Sequence, residues 1–275
     1  VTDQTVTEEL VSDREVKPAR ASVRDVVVRA VQRISSGFVR ITVAADDPGF
    51  DAEFDHLGYD QWLRLFLPNS AGTSVPPYGD IEGWYGRWTA GDPARRTVIR
   101  NYTVRDARRG PGGWELDIDF VVHEGASGAV EGIAAGWACQ AKVGDRLAIL
   151  DQGRIFTGAE DGRPLVIIAD ESGLPGVEGI ARSLAGRPAT YLLEVPHADD
   201  IRDLPGADPI WAVREPGSRP GSALLERVLA FQVDPESCGY VVGEAAFMIR
   251  ARNHLRAAGV PRSRLDFCAY WRPVD

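Results

Sequence analysis

Arg100, Tyr102 and Thr103 stand at i, i+2 and i+3 in Arg100-Asn101-Tyr102-Thr103-Val104-Arg105, a stretch with the composition of a β-strand. A guanidinium carries a permanent charge and a fork of donors that matches phosphate oxygens. A tyrosine ring offers a flat face to an isoalloxazine, and a threonine hydroxyl is a short donor for a ring nitrogen. One strand of this kind has the parts to hold a flavin nucleotide. The same residue types are also ordinary strand composition, so the segment gains meaning only from the motifs downstream of it in the chain.

Downstream comes Asp119-Phe120-Val121-Val122-His123. A strand passing a flavin presents main-chain groups, as at Val121, to the ring edge, with His123 placed for a phosphate or ring carbonyl; a histidine at a strand end is equally a satisfied surface residue. Gly132-Ile133-Ala134-Ala135-Gly136-Trp137-Ala138 then leads to Gly144-Asp145. Small residues at a helix start let backbone N–H groups approach a pyrophosphate. In the second half, Asp170-Glu171-Ser172-Gly173 follows an apolar strand, and Gly243-Glu244-Ala245 follows a later one. Ligands of open α/β sheets bind at such carboxyl ends, although strand-to-helix turns need small and capping residues in any case. No G-x-G-x-x-G or phosphate-loop pattern is present, so a tightly held Rossmann dinucleotide is not indicated, and a loosely held nicotinamide nucleotide is compatible.

These segments need two scaffolds. From about 22 to 151 the chain reads as strands and turns: Val23–Val31, Gly37–Val43, Gln61–Leu67, Thr97–Val104, Trp114–Val122 and Asp145–Leu150, with a short helix at Ala129–Ala138. Six strands with turns between them predict an antiparallel six-stranded β-barrel over 21–152. From Pro164 strand and helix alternate, with strands at Leu165–Ala169, Ala189–Val195, Pro209–Val213, Tyr240–Val242 and Leu265–Tyr270. Helices are expected at 176–184, 221–231 and 245–258. That rhythm predicts a parallel-sheet α/β domain over 163–275. Residues 1–20 read as a flexible lead-in, and Gln152–Arg163 as the boundary.

The chain has 275 residues, enough for two domains, and a net charge of −9 that argues against nucleic acid or an anionic membrane as a general partner. There is no apolar run long enough to span a bilayer and no secretory pattern at the start, so a cytoplasmic location is expected. Cys139, Cys238 and Cys268 match neither a disulfide framework nor a metal-ligand spacing and are expected to be buried reduced thiols. The aromatic segment Tyr78–Trp88 reads either as a wall of the site or as packing under a long loop.

Taken in order, eight motifs resemble the siderophore-interacting proteins, a branch of the ferredoxin-reductase-like flavoenzymes. They are Arg100-Asn101-Tyr102-Thr103, Asp119…His123, Gly132–Ala138, Gly144-Asp145, Asp170–Pro175, Glu194-Val195-Pro196, Gly243-Glu244-Ala245 and Tyr270-Trp271-Arg272. The resemblance covers residues 20 to 273. It implies an FAD-binding barrel followed by an NADPH- or NADH-binding domain, in a monomeric enzyme that reduces a ferric siderophore to iron(II). By the same resemblance Arg100, Tyr102, Thr103, Asp119, Val121, His123, Ala134, Ala135 and Trp137 form the FAD site. Asp170, Glu171, Ser172, Gly243, Glu244 and Ala245 line the nicotinamide side.

No acid–base residue and no metal ligand is implied. Arg272 is the best candidate to receive the anionic chelate, with Arg154 and Arg105 behind it. Two positions depart from the family pattern: Ala135 replaces a serine and Gly136 an arginine. Each lost charge-assisted contact is worth ~1–3 kcal/mol, which predicts FAD binding weaker by roughly tenfold or more. The segment Glu124–Glu131 is longer than in the family and offers Ser127 and backbone amides as replacements. The alternatives are a flavin reductase for another acceptor, or a flavin- or chelate-binding protein of this fold without turnover.

Overall fold

Period-two alternation sorts the first half of the chain into an inside and an outside. In the computed structural model, which describes residues 11, 14–45, 47–125, 128–158 and 162–272, β1 (Ser22–Ser35), β2 (Phe38–Ala44) and β3 (Trp62–Leu67) alternate in this way. Leu63, Leu65 and Leu67 point inward with Val39, Ile41 and Val43, while Phe66 joins a separate outer cluster with Ile99 and Trp84. β5 (Val98–Thr103), β6 (Asp106–Gly110), β7 (Gly113–Val121) and β10 (Arg146–Gly153) complete the sheet. Its order is β5-β3-β10-β1-β2-β7-β6, with the two-residue β4 (Gly79–Asp80) paired to β1. All pairings in it are antiparallel.

The two ends of this sheet meet. β5 and β6 are its terminal strands, and only Val104 and Arg105 separate them. The Val104 N–H donates to the Gln61 carbonyl at 2.7 Å, and the Arg105 N–H to the Asp117 carbonyl in β7 at 2.9 Å. Consecutive amides thereby join opposite ends of the strand path. The six expected strands are all present; β6 is an addition, the hairpin partner of β7. A small hairpin of β8 (His123–Glu124) and β9 (Val130–Glu131) follows.

Two short helices were not expected. α1 (Pro48–Glu53) starts at Asp47, whose carboxylate accepts from the Gly49 N–H, with Pro48 in the first turn. α2 (Trp84–Ala90) lies over the outer cluster. The helix expected at 129–138 is displaced to α3 (Ile133–Gln140), because Gly132 sits at φ +89° and cannot be helical.

In the second unit, β11 (Leu165–Ala169), β12 (Ala189–Val195), β13 (Ile210–Val213), β14 (Cys238–Glu244) and β15 (Leu265–Trp271) form a parallel sheet of order β13-β12-β11-β14-β15. Val166, Ile168, Leu192 and Val241 pack against Leu224 and Val228 of α5 (Ser222–Ala230) and Phe247, Met248 and Leu255 of α6 (Ala245–Ala257). α4 (Leu174–Ser183) follows β11 after one 3-10 turn. The strand order reverses between β11 and β14, and the crevice at their carboxyl ends is where such sheets take ligands.

The described part of the expected lead-in is held rather than loose. Val16 bridges Arg154, Val11 bridges Cys268, and Arg14 pairs with the buried Asp266 at 2.7 Å. None of the cysteines is in a disulfide; Cys238 is buried, but Cys139 is exposed and Cys268 half-buried, which corrects the expectation that all three are buried. Among the described residues no helix is long and apolar enough to cross a membrane.

Candidate functional site

In the barrel unit, strand alternation places Arg100 and Tyr102 on one face of β5 and Thr103 on the other. The Tyr102 ring lies 4.2 Å from that of Phe120, at 35°, and Phe120 lies 5.6 Å from Trp137 on α3. This aromatic ladder ties the strand bearing Arg100 to the helix whose first turn holds Ala134 and Ala135. Burial pushes the Tyr102 phenol up, so it stays neutral.

Arg100 is exposed. Its guanidinium donates to the Ile99 carbonyl at 2.8 Å, and it pairs with no carboxylate among the described residues. At α3 no side chain caps the first turn, and a Cβ added at Gly136 would meet nothing within 4 Å. An un-neutralised guanidinium, an uncapped helix start and a row of aromatic rings fit the diphosphate and ring of FAD. Ala135 is buried, and the space over Gly136 is open.

Other expected residues of this unit are placed differently. Asp119 lies on the face of β7 opposite Phe120, where Arg40 clamps its buried carboxylate through bonds of 2.6 and 2.9 Å. It is a cross-strand ion pair, its oxygens already engaged. Val121 is half-buried opposite Phe38, and His123 is half-buried opposite Glu131 in the small hairpin. Thr103 is buried opposite Trp62. Ser127 lies outside the described residues.

In the α/β unit the expected residues converge at the crevice between β11 and β14. The Asp170 carboxylate accepts from the Ser172 N–H at 2.9 Å, the Ser172 hydroxyl at 2.5 Å and the Glu244 N–H at 2.6 Å. Gly243, at φ +137°, passes directly beneath it: a Cβ there would stand 2.6 Å from the Asp170 carboxyl carbon. Burial, reinforced by the neighbouring Glu171 carboxylate, pushes Asp170 up to about 7. Glu244 caps α6 by accepting from the Phe247 N–H at 2.9 Å, and Ala245 is buried behind it.

Glu171 forms a two-bond pair with Arg214, which also reaches Glu194 at 2.8 Å. Glu194 in turn accepts from Gly221 and Leu224 at the start of α5. Three helical turns at this edge are thus capped by the chain's own carboxylates, Asp170, Glu194 and Glu244. Phosphates of a nucleotide arriving here find those amides occupied, which suits a dinucleotide that binds and leaves. Arg214 was not foreseen; its link to Glu171 spans 43 positions and leaves no local pattern.

Of the proposed chelate-binding arginines, Arg272 is exposed beyond β15. Arg154 donates to the Phe156 carbonyl at 2.6 Å, and Arg105 pairs with Asp106 at 3.3 Å. Among the described residues no cluster of His, Cys, Asp and Glu could hold a metal.

The comparisons with known proteins agree over most of the chain. A model of the siderophore-interacting FAD-binding domain matches residues 27–155, and a siderophore-interacting protein model matches 163–274. The chain is 28% identical over 257 residues to the NADPH-dependent ferric-chelate reductase of Escherichia coli, covering 90% of this chain and 92% of that one. It is 29% identical over 250 residues to the ferric vibriobactin reductase ViuB of Vibrio cholerae, covering 87% and 85%. The solved siderophore utilization protein from T. fusca superposes with a TM-score of 0.76 at 26% identity, covering 94% and 95%. SipS from Aeromonas hydrophila superposes with a TM-score of 0.72 at 26% identity, covering 91% and 92%.

Proposed function

The chain belongs to the siderophore-interacting protein family, and from that premise we propose that it is an NAD(P)H-dependent, FAD-containing reductase of ferric siderophores, working as a cytoplasmic monomer. The observation that carries the reading is the Tyr102–Phe120–Trp137 ladder with Arg100 un-neutralised at one end and an uncapped helix start at the other. FAD bound there supplies the junction between a two-electron nicotinamide donor and a one-electron iron(III) acceptor.

The protein's own part is placement. Arg100 and the first-turn amides of α3 would hold the diphosphate, and the Tyr102 ring would pack on the isoalloxazine. Asp170, Ser172 and the Gly243–Ala245 turn shape the nicotinamide crevice. Arg272 attracts the anionic chelate. Electron transfer to iron needs no general acid or base, in keeping with a site built from rings, amides and arginines.

The test is iron(II) release from ferric chelates under anaerobic conditions, trapped by a chromogenic iron(II) chelator, with NADPH and NADH compared. Release that requires both nicotinamide and FAD supports the reading. Activity confined to an iron-free acceptor would move it to a flavin reductase of another kind.

A further inference from the structure

In the α/β unit the strands, counted along the chain, lie in the order third, second, first, fourth, fifth. Dinucleotide-binding sheets share that order. In them an acid at the end of the second strand, roughly 20 residues beyond the first strand-to-helix turn, takes the adenosine ribose. Its carboxylate bonds a bare 2′-hydroxyl and repels a 2′-phosphate, so it selects NADH over NADPH. Glu194, at the carboxyl end of β12, stands at this place.

Here that carboxylate is turned to another task. Its Oε1 accepts from the Arg214 guanidinium at 2.8 Å and from the Gly221 N–H at 2.6 Å, and its Oε2 from the Leu224 N–H at 2.9 Å. The side chain is completely buried. Its negative charge therefore faces a guanidinium and the positive end of α5 rather than the crevice. Arg214 is aimed by its backbone: its N–H donates to the Val195 carbonyl at 2.9 Å, which sets it beside the end of β12. Past β13, the loop from 215 to 220 returns to Gly221, with Glu215 and Arg219 both exposed and opposite in sign.

We propose that Arg214 is a specificity-determining residue for the electron donor. By holding Glu194 it withdraws the carboxylate that would exclude a 2′-phosphate, so the crevice takes NADPH at least as well as NADH. That a nicotinamide nucleotide binds at this edge rests on the functional reading above; the engagement of Glu194 by Arg214 does not.

Adenosine 2′,5′-bisphosphate and adenosine 5′-monophosphate differ only in the 2′-phosphate, so the ratio of their affinities reads this pair directly. Calorimetry on the FAD-loaded protein is expected to show the bisphosphate bound at least as tightly as the monophosphate. Glu194→Gln keeps the shape and removes one buried negative charge, shifting the ratio toward the bisphosphate by about three- to tenfold. Arg214→Gln releases Glu194 and shifts it toward the monophosphate by about tenfold. Combining the two substitutions reverses that shift, which a purely structural role would not do. Glu226→Gln removes an exposed charge from α5 and leaves the ratio where it was. In turnover, the KM values for NADPH and NADH follow the same order. Should Arg214→Gln fail to fold, the parent protein and Glu194→Gln still decide the matter.

A ratio unmoved by Glu194→Gln overturns the proposal. So does a parent protein that favours the monophosphate tenfold or more; the exposed carboxylates after β12, Asp199 and Asp203, would then exclude the 2′-phosphate in place of Glu194. Should no ferric chelate be reduced while the ratios shift as described, the reductase reading fails and the role of Arg214 stands. Reduction of ferric chelates with ratios indifferent to Glu194 and Arg214 leaves the reductase and removes the specificity pair.

Discussion

Arg214 and Glu171 meet through two parallel hydrogen bonds of 2.9 and 2.7 Å, with neither side chain more than 8% exposed. The pair locks the carboxyl ends of β11 and β13 together, and through Glu194 it also fixes the start of α5. The crevice at the carboxyl edge of this sheet therefore stands on a buried ionic frame rather than on loop packing alone.

Removing the cation from that frame takes the shared guanidinium away from two buried carboxylates. Arg214→Ala is expected to cost about 3–5 kcal/mol of stability. Arg214→Lys should cost less, since it keeps the charge and loses only the fork. Denaturant unfolding of the two variants, read by circular dichroism, checks the order. Equal, small losses would show that the frame is not what holds this edge.

Asp170 sets a pH dependence with a definite sign. Folded, it keeps its proton up to about 7, against an ordinary value of 3.8. The folded state thus binds more protons than the unfolded one across that window, so stability falls as pH rises from about 4 to 7 and levels off above. Asp151, pushed up to about 6 by burial, acts in the same sense over a narrower range. In Asp170→Asn the decline between pH 6 and 7 should vanish, while the part below 6 should shrink without disappearing. A decline above pH 6 that persists in the variant would assign it to another group.

Gly243→Ala forces a Cβ into the Asp170 carboxyl at a φ that side chains rarely adopt. Backbone strain of ~1–3 kcal/mol adds to the clash. A lowered melting temperature and weakened nicotinamide binding are both expected, measured by calorimetry and by the KM for NADPH. A variant as stable as the parent would mean that the turn relaxes freely.

Arg100 and Asp119 should separate by readout. Arg100→Ala removes a charged phosphate contact worth about 1.5–3 kcal/mol, raising the FAD dissociation constant about tenfold or more, with little change in the stability of the flavin-free protein. Asp119→Asn breaks the pair with Arg40, lowering stability while leaving FAD affinity near the parent value. Flavin fluorescence titration alongside thermal unfolding distinguishes them. The opposite assignment would place Asp119 in the flavin site after all.

Alternation of apolar residues was enough to find β1, β2, β3, β5, β7 and β10, because each buries one face. β6 escaped because Asp106-Ala107-Arg108-Arg109-Gly110 has hardly any apolar face; it is recruited by the hairpin with β7 and by the ion pairs of Arg108 with Glu115 and Asp117. The seven residues of α2 lack both a capping side chain and a buried stripe. In the proposed flavin site, the i, i+2 spacing of Arg100 and Tyr102 put them on one face without any tertiary knowledge. The engagement of Asp119 with Arg40 depends on cross-strand register over 79 positions, and that of Glu171 with Arg214 on two strands of a parallel sheet. Such partners are fixed only once the sheet order exists.

The most direct test of the central claim is the absorption spectrum of the purified protein, alone, after FAD, and after anaerobic NADPH or NADH followed by a ferric chelate. The account predicts bands near ~370 and ~450 nm that bleach with nicotinamide and return with the chelate as iron(II) is released. A protein that retains no added FAD, or one whose bleached bands do not return with any ferric chelate, would contradict it.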